Sequence, residues 1–197
     1  MHVEINTFIQ EHLKQLTNKT FSKKYISQYI APIINNINTS KDKKFIIAGS
    51  QGAGKSTLAI LFKLALEKIY KKKVMLLSID DYYLSKKKRI KLSKNIHPLL
   101  ITRGVPGTHD IVALKNDIIN FQKKKFPIIT PKFNKLKDDI SSKKNIIKNA
   151  EILLLEGWCC GSPSINKKYL FQNINRLETI FDKNKKWRQY YNSQLMK

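Results

Sequence analysis

Two cysteines in 197 residues, Cys159 and Cys160, leave no material for a disulfide framework. Neighbouring cysteines rarely bond to each other because the closed ring is strained. No further cysteine or clustered histidine completes a zinc set, so reduced thiols in a reducing compartment are expected. Long apolar runs are also missing. The longest, such as Ile152 to Leu155, are far too short to cross a bilayer. The N-terminus reads as an amphipathic helix and not as a basic-then-apolar signal, so a soluble cytoplasmic protein with no membrane partner is expected. Acids are scarce, 14 against 38 lysines and arginines, which gives a formal charge of +24. Arginine is scarce too: it occurs only at Arg89, Arg103, Arg176 and Arg188. Readers of bases and phosphates favour arginine, with its planar fork. The surplus lysines instead form scattered runs (Lys71 to Lys73, Lys86 to Lys88, Lys123 to Lys125, Lys143 and Lys144) that read as solvated loops. A nucleic-acid partner is therefore not expected, although so basic a surface attracts anions in general.

What is present is a globular composition, 42% hydrophobic, of a length that suits one domain. Residues 3–17 carry helical spacing, and Tyr25, Ile26, Tyr29 and Ile30 repeat it until Pro32 should end or kink the helix. The segment Asn35 to Lys44 reads as polar turn, and Phe45 to Ala48 as a short buried strand. Leu58, Leu61, Phe62, Ala65, Leu66 and Ile69 mark one helical face. Strands are expected at Val74 to Ile79, Pro127 to Ile129 and Glu151 to Leu155, and a helix over 109–122 with Thr108 as its N-cap. Alternating strands and helices predict an α/β fold with a mainly parallel sheet, after N-terminal helices over 1–40. Ligands of such sheets sit beyond the carboxyl ends of the strands.

The segment Gly49-Ser50-Gln51-Gly52-Ala53-Gly54-Lys55-Ser56, followed by Thr57, fits the phosphate-loop pattern G-x-x-x-x-G-K-[ST] between a strand and a helix. Glycines let successive N–H groups turn toward phosphate oxygens, and the helix start adds its positive dipole end. Lys55 would reach the β- and γ-phosphates of ATP, and the Ser56 hydroxyl would ligate Mg²⁺. The pattern suits kinases, GTPases and nucleic-acid motors alike. Asp80 and Asp81 follow the second strand, where a carboxylate could accept a hydroxyl proton. Glu156 follows an apolar strand, a position that commonly serves the Mg²⁺ shell.

Together these pieces resemble the glycerate kinase-like P-loop kinases: D-glycerate 3-kinase and its bacterial and fungal relatives, within the uridine kinase, pantothenate kinase and phosphoribulokinase group. The resemblance rests on the phosphate loop, Ser78 to Leu84, His97 to Leu100, Arg103 to Asp110, Pro131 to Asp139 and Glu156 to Cys159. It implies a three-layer P-loop fold and one kinase domain across 1–197. It also implies transfer of the γ-phosphate of ATP to a small hydroxy compound such as D-glycerate. By the same resemblance Asp80 is the base, with Asp81 its substitute. Tyr83, Arg103, His109 and Asp110 shape the acceptor pocket, Lys132 and Lys135 meet a carboxylate or phosphates, and Glu156 holds Mg²⁺. Two departures stand out: relatives carry an aspartate at the place of Asn134 and an arginine at the place of Ile140. The family's chains also continue past the position of Lys197, although Gln189 to Lys197 reads like a helix interior. The competing expectations are an ATP-binding protein that has lost kinase activity and, on the charge alone, a nucleic-acid-dependent ATPase. Oligomeric state is not legible.

Overall fold

The computed structural model describes residues 2–195. The chain begins with α1 (His2–Thr17), α2 (Lys23–Tyr25), a π-helical turn over Ile26–Ile30 and α3 (Ala31–Thr39). Then come β1 (Lys44–Ala48), α4 (Lys55–Lys68), β2 (Val74–Ser78), a 3₁₀ turn over Ile79–Tyr82, α5 (Lys86–Asn95) and α6 (Ile111–Gln122). Next are β3 (Ile128–Thr130), β4 (Phe133–Asn134), β5 (Asp139–Ile140), β6 (Asn145–Ile147) and β7 (Ile152–Gly157), then α7 (Arg176–Phe181) and α8 (Lys186–Gln194). Met196 and Lys197, the end of the helix expected from Gln189 onward, lie outside the described residues.

Two compact units emerge. The first runs to Ser78 and takes in Lys124–Pro127 and Ile147–Cys160. The second comprises Ile79–Lys123, Ile128–Ile146 and the chain from Gly161.

The first unit is built on a parallel sheet ordered β1-β7-β2. Strand β7 is central and buried along its whole length, as its unbroken apolar run requires. Helix α4 lays Leu61, Phe62, Ala65 and Leu66 against Val74, Ile152 and Leu154. Ile5, Ile9 and Leu13 of α1, spaced one helical turn apart, join the same core with Ile26, Ile30, Ile34 and Ile37. Each burial removes apolar surface worth about 1.5–3 kcal/mol per side chain.

Three expectations fail here for physical reasons. Pro32 does not end the helix; it lies in the first turn of α3, where no N–H donor is needed. The wider π turn precedes it, with the Ala31 N–H bonded to the Ile26 carbonyl. Asn35 to Lys44 is not all turn: the helix runs to Thr39 because Ile34 and Ile37 extend the buried isoleucine stripe. Strand β1 is not fully buried; as a sheet edge, paired among the described residues only with β7, it leaves Ile46 57% exposed.

In the second unit, Ser85 caps α5 through the Lys88 N–H. The Lys86 to Lys88 run therefore opens a helix and is not a loop. The strand expected near Pro127 to Ile129 forms as β3, but its partner is β6. Strands β4 and β5 make a small antiparallel hairpin, Phe133 opposite Ile140 and Asn134 opposite Asp139. Toward the end of the chain, Arg188 is 1% exposed and ties the last segments together. Its guanidinium meets Asp182 Oδ2 at 2.9 Å and Glu178 Oε2 at 3.4 Å, and donates to the carbonyls of Leu170, Gln172, Glu178 and Asp182.

Candidate functional site

In the first unit the phosphate loop runs from the end of β1 into α4. Gly52 and Gly54 have φ of +78° and +80°, the left-handed region where a side chain is strained. A Cβ added at either would meet nothing within 4 Å, so conformation rather than space demands glycine there. Gly54 serves as N-cap of α4, and the Gly54 carbonyl accepts the first helical bond, from Leu58 N–H at 3.0 Å. Ser50, Gln51, Gly52, Ala53 and Ser56 are exposed, while Gly49, Lys55 and Thr57 are half-buried. The Lys55 ammonium curls back over the turn and donates to the Ser50 carbonyl at 2.7 Å. The Ala53 N–H also turns to the Ser50 carbonyl, at 3.3 Å. N–H groups at a helix start, with one ammonium near them, are what an anionic polyphosphate requires.

Glu156 belongs to the same unit. It lies within β7, one residue before the strand ends, level with Ile47 on one side and Ser78 on the other. It is 6% exposed, and the Ser78 hydroxyl donates to its Oε1. Among the described residues no group of three or more His, Cys, Asp or Glu could hold a metal ion. A protein that leaves most of the shell to phosphates and water needs no such group. The Ser56 hydroxyl and the second oxygen of Glu156 suit that kind of Mg²⁺ site.

The second unit gathers most of the other expected residues around the 3₁₀ turn. The two carboxylates of the turn divide their work. Asp81 Oδ1 accepts from the Phe133 N–H at 3.1 Å and so fastens the root of the β4–β5 hairpin. Burial pushes its acid form upward in pH, and that backbone bond and Lys132 only partly oppose the push. Asp80 points elsewhere: its Oδ2 accepts from Lys135 Nζ at 2.8 Å. Burial alone would raise Asp80, but the Lys135 ammonium, the Tyr83 hydroxyl and His109 together hold it below the usual carboxylate range.

Tyr83 is buried with its ring stacked on His109, centroids 4.4 Å apart, and edge-on to Phe133 at 5.3 Å. His109 is 5% exposed, and among the described residues neither ring nitrogen has a hydrogen-bond partner. Burial drives its pKa down to about 4 against the pull of Asp80, so at neutral pH the ring is uncharged. Asp110, expected at the acceptor, caps α6 through the Ala113 N–H at 3.1 Å and meets Lys88 at 3.5 Å. It takes the capping place expected for Thr108. The Thr108 hydroxyl instead closes the preceding loop, accepting from Gly104 N–H and donating to the Val105 carbonyl. Arg103, expected to shape the acceptor pocket, is paired with Asp138 and lies 5.6 Å from the Phe133 ring.

Three residues here escape sequence reasoning: Phe133, Asp138 and Arg89. Arg89 is 1% exposed and donates to Leu84 O, Ile101 O, Asp138 O and Asp138 Oδ2. Asn134, a departure from the family pattern, accepts from the N–H groups of both Leu136 and Lys137 at 3.0 Å. An amide oxygen serves that turn as a carboxylate would. Ile140, the other departure, is half-exposed.

No family model matches the sequence. The chain is 34% identical over 126 residues to the Uncharacterized kinase mug58 of Schizosaccharomyces pombe, covering 58% of this chain and 45% of that protein. It is 30% identical over 164 residues to the protein named Probable ATP-dependent kinase TDA10 of Saccharomyces cerevisiae, covering 75% and 56%. It thus spans about half the length of these curated relatives. Among solved structures, the D-glycerate 3-kinase from Cryptococcus neoformans superposes with a TM-score of 0.66 over 100% of this chain and 67% of that one. At 21% identity that likeness speaks for the fold. Sequence relatives and shared fold agree: the chain is similar to P-loop kinases in sequence, and it shares the fold of the Cryptococcus D-glycerate 3-kinase.

Proposed function

We propose that the chain is an ATP-dependent phosphotransferase that moves the γ-phosphate to a hydroxyl of a small metabolite. The observation that carries this reading is the division of labour between the adjacent acids. Asp81 is spent on the Phe133 backbone, while Asp80 keeps an ionised carboxylate among side chains only, those of Lys135, Tyr83 and His109. In the reaction an acceptor oxygen bonds to the γ-phosphorus, the bond from that phosphorus to the β-phosphate oxygen breaks, and ADP leaves. The acceptor's proton goes to Asp80. Phosphoryl transfer asks mainly for positioning and charge neutralisation, so a carboxylate that accepts its proton late does not need a pKa near neutrality.

The phosphate loop supplies N–H donors and the Lys55 ammonium for the triphosphate. Mg²⁺, held by Ser56 with Glu156 behind it, would neutralise charge on the β- and γ-phosphates. Lys132 and Lys135 give the acceptor side a cationic character that suits a hydroxy acid such as D-glycerate. The resemblance of Ser78 to Leu84 and Arg103 to Asp110 to the D-glycerate 3-kinases supports that choice of acceptor. Tyr83 and uncharged His109 contribute a ring surface. The test is a coupled ADP-release assay over hydroxy acids, including D-glycerate, and nucleosides. ADP release should require one acceptor and drop at least a hundredfold in Asp80→Asn. Equal release by wild type and variant with every acceptor would remove Asp80 from the role.

A further inference from the structure

Lys135 stands on the four residues that join β4 to β5, and Asp138 ends that loop. Asp138 has φ of +51°, a left-handed conformation that aspartate tolerates better than most residues. Its carboxylate is held by two guanidinium groups, Arg89 at 2.9 Å and Arg103 on the other oxygen. Arg89 also grips the Asp138 carbonyl at 2.6 Å. Both guanidinium groups lie against the Phe133 ring, at 5.9 and 5.6 Å, and Phe133 in turn abuts Tyr83, whose hydroxyl bonds Asp80. Two routes therefore lead from Asp138 to Asp80, one through the loop to Lys135 and one through the rings to Tyr83.

We infer that Asp138 is a positioning residue: clamped between Arg89 and Arg103, it fixes the β4–β5 loop so that Lys135 stays on the Asp80 carboxylate. Its use in catalysis rests on the reading of Asp80 as the base; the positioning does not. The groups facing Asp80 are Lys135 from the loop, Asp81 from the turn, Tyr83 just after the turn, and His109 from the segment before α6. Acting through space, the negative charge of Asp138 would raise the pKa of Asp80, so deleting that charge would lower it. Acting through Lys135, the same deletion frees the ammonium and raises it. The sign separates the two.

The test is an NMR titration of the ¹³C-labelled Asp80 carboxyl in the full chain, with no nucleotide and no acceptor. Lys135→Met should raise the midpoint. Asp138→Asn, which keeps the loop conformation but cannot hold two guanidinium groups, should raise it by at least half as much. The double variant should match Lys135→Met alone. A fall or no change in Asp138→Asn, or a double variant whose shift is the sum of the two, overturns the proposal. If Asp138→Asn does not fold, Arg103→Gln, which breaks only the half-exposed arm of the clamp, takes its place; losing that cation raises the midpoint through space as well, so the double variant with Lys135→Met decides, and a shift that persists in it overturns the proposal. No turnover is measured, so a failed acceptor assay and a failed titration are separate outcomes.

Discussion

The Lys135 ammonium lies 2.8 Å from Oδ2 of Asp80 and is the strongest of the influences that hold this carboxylate ionised against its own burial. Asp80 sits below its ordinary value, so its favourable contribution is complete above that value and fades as pH falls through the lowered one. No acid limb from Asp80 is then expected between pH 5 and 8 in the rate profile. Lys135→Met leaves burial opposed only by Tyr83 and His109, so the acid limb should move to higher pH. The measurement is kcat/KM for the acceptor from pH 4 to 8, and an unmoved limb would mean that the pair does not set the protonation of Asp80.

His109 titrates in the opposite sense to the usual paired histidine. Its folded pKa is about 4, below the ordinary 6.5, because its ring is buried beside Tyr83 with no partner on either nitrogen among the described residues. The unfolded chain takes up a proton as pH falls through 6.5, while the folded chain resists until about 4. Stability is therefore full above pH 6.5 and drains away between 6.5 and 4, by an amount on the order of 3 kcal/mol. His109→Phe keeps a ring on Tyr83 and removes both orphaned nitrogens. It should be neutral or stabilising at pH 7, and its urea midpoint should fall less than that of wild type between pH 7 and 4.5.

The aromatic and ionic surroundings of Asp80 were less legible in the sequence than the phosphate loop was. That loop depends on residues adjacent in the chain, so its glycines, Lys55 and Ser56 announce themselves by spacing. Strands β1, β2, β3 and β7 were legible as short apolar runs and the inner face of α4 by its helical spacing, whereas the short β4, β5 and β6 carry no such run and were not expected. Pairings across tens of residues, such as Arg89 with Asp138, leave no periodic trace. A compositional trace did exist. Where lysine supplies almost all the surface charge, an arginine marks a place where the planar fork is used, and Arg89, Arg103 and Arg188 each hold a carboxylate. Thr108 misled because it precedes a helical pattern, yet its hydroxyl is committed to its own loop and Asp110 is left to cap.

The loop before α6 depends on Gly107. With φ of +93°, any side chain there is strained, and a Cβ would stand 2.5 Å from Cε1 of Tyr190 and 2.8 Å from Cγ of Gln194 on α8. Gly107→Ala should cost about 1–3 kcal/mol, part from the backbone and part from overlap. Combining it with Tyr190→Ala separates the two. The double-mutant cycle in thermal or urea unfolding should show a favourable coupling equal to the overlap, and strict additivity would mean that Tyr190 yields without cost.

Arg188 carries the largest expected single-residue effect. It neutralises Asp182 and Glu178, which are 1% and 3% exposed, and five of its hydrogen bonds end on buried or half-buried carbonyls and a carboxylate. Removing one member of such a cluster leaves carboxylates in a medium that cannot solvate them, a cost of about 3–5 kcal/mol. Arg188→Met should therefore destabilise the second unit strongly at pH 7. Arg188→Lys keeps the charge but not the fork, and should fall between the two. Urea unfolding of the three proteins at pH 7 checks this ordering. If Arg188→Lys were as stable as wild type, charge alone would hold the cluster, and the fork geometry of arginine would be irrelevant to it.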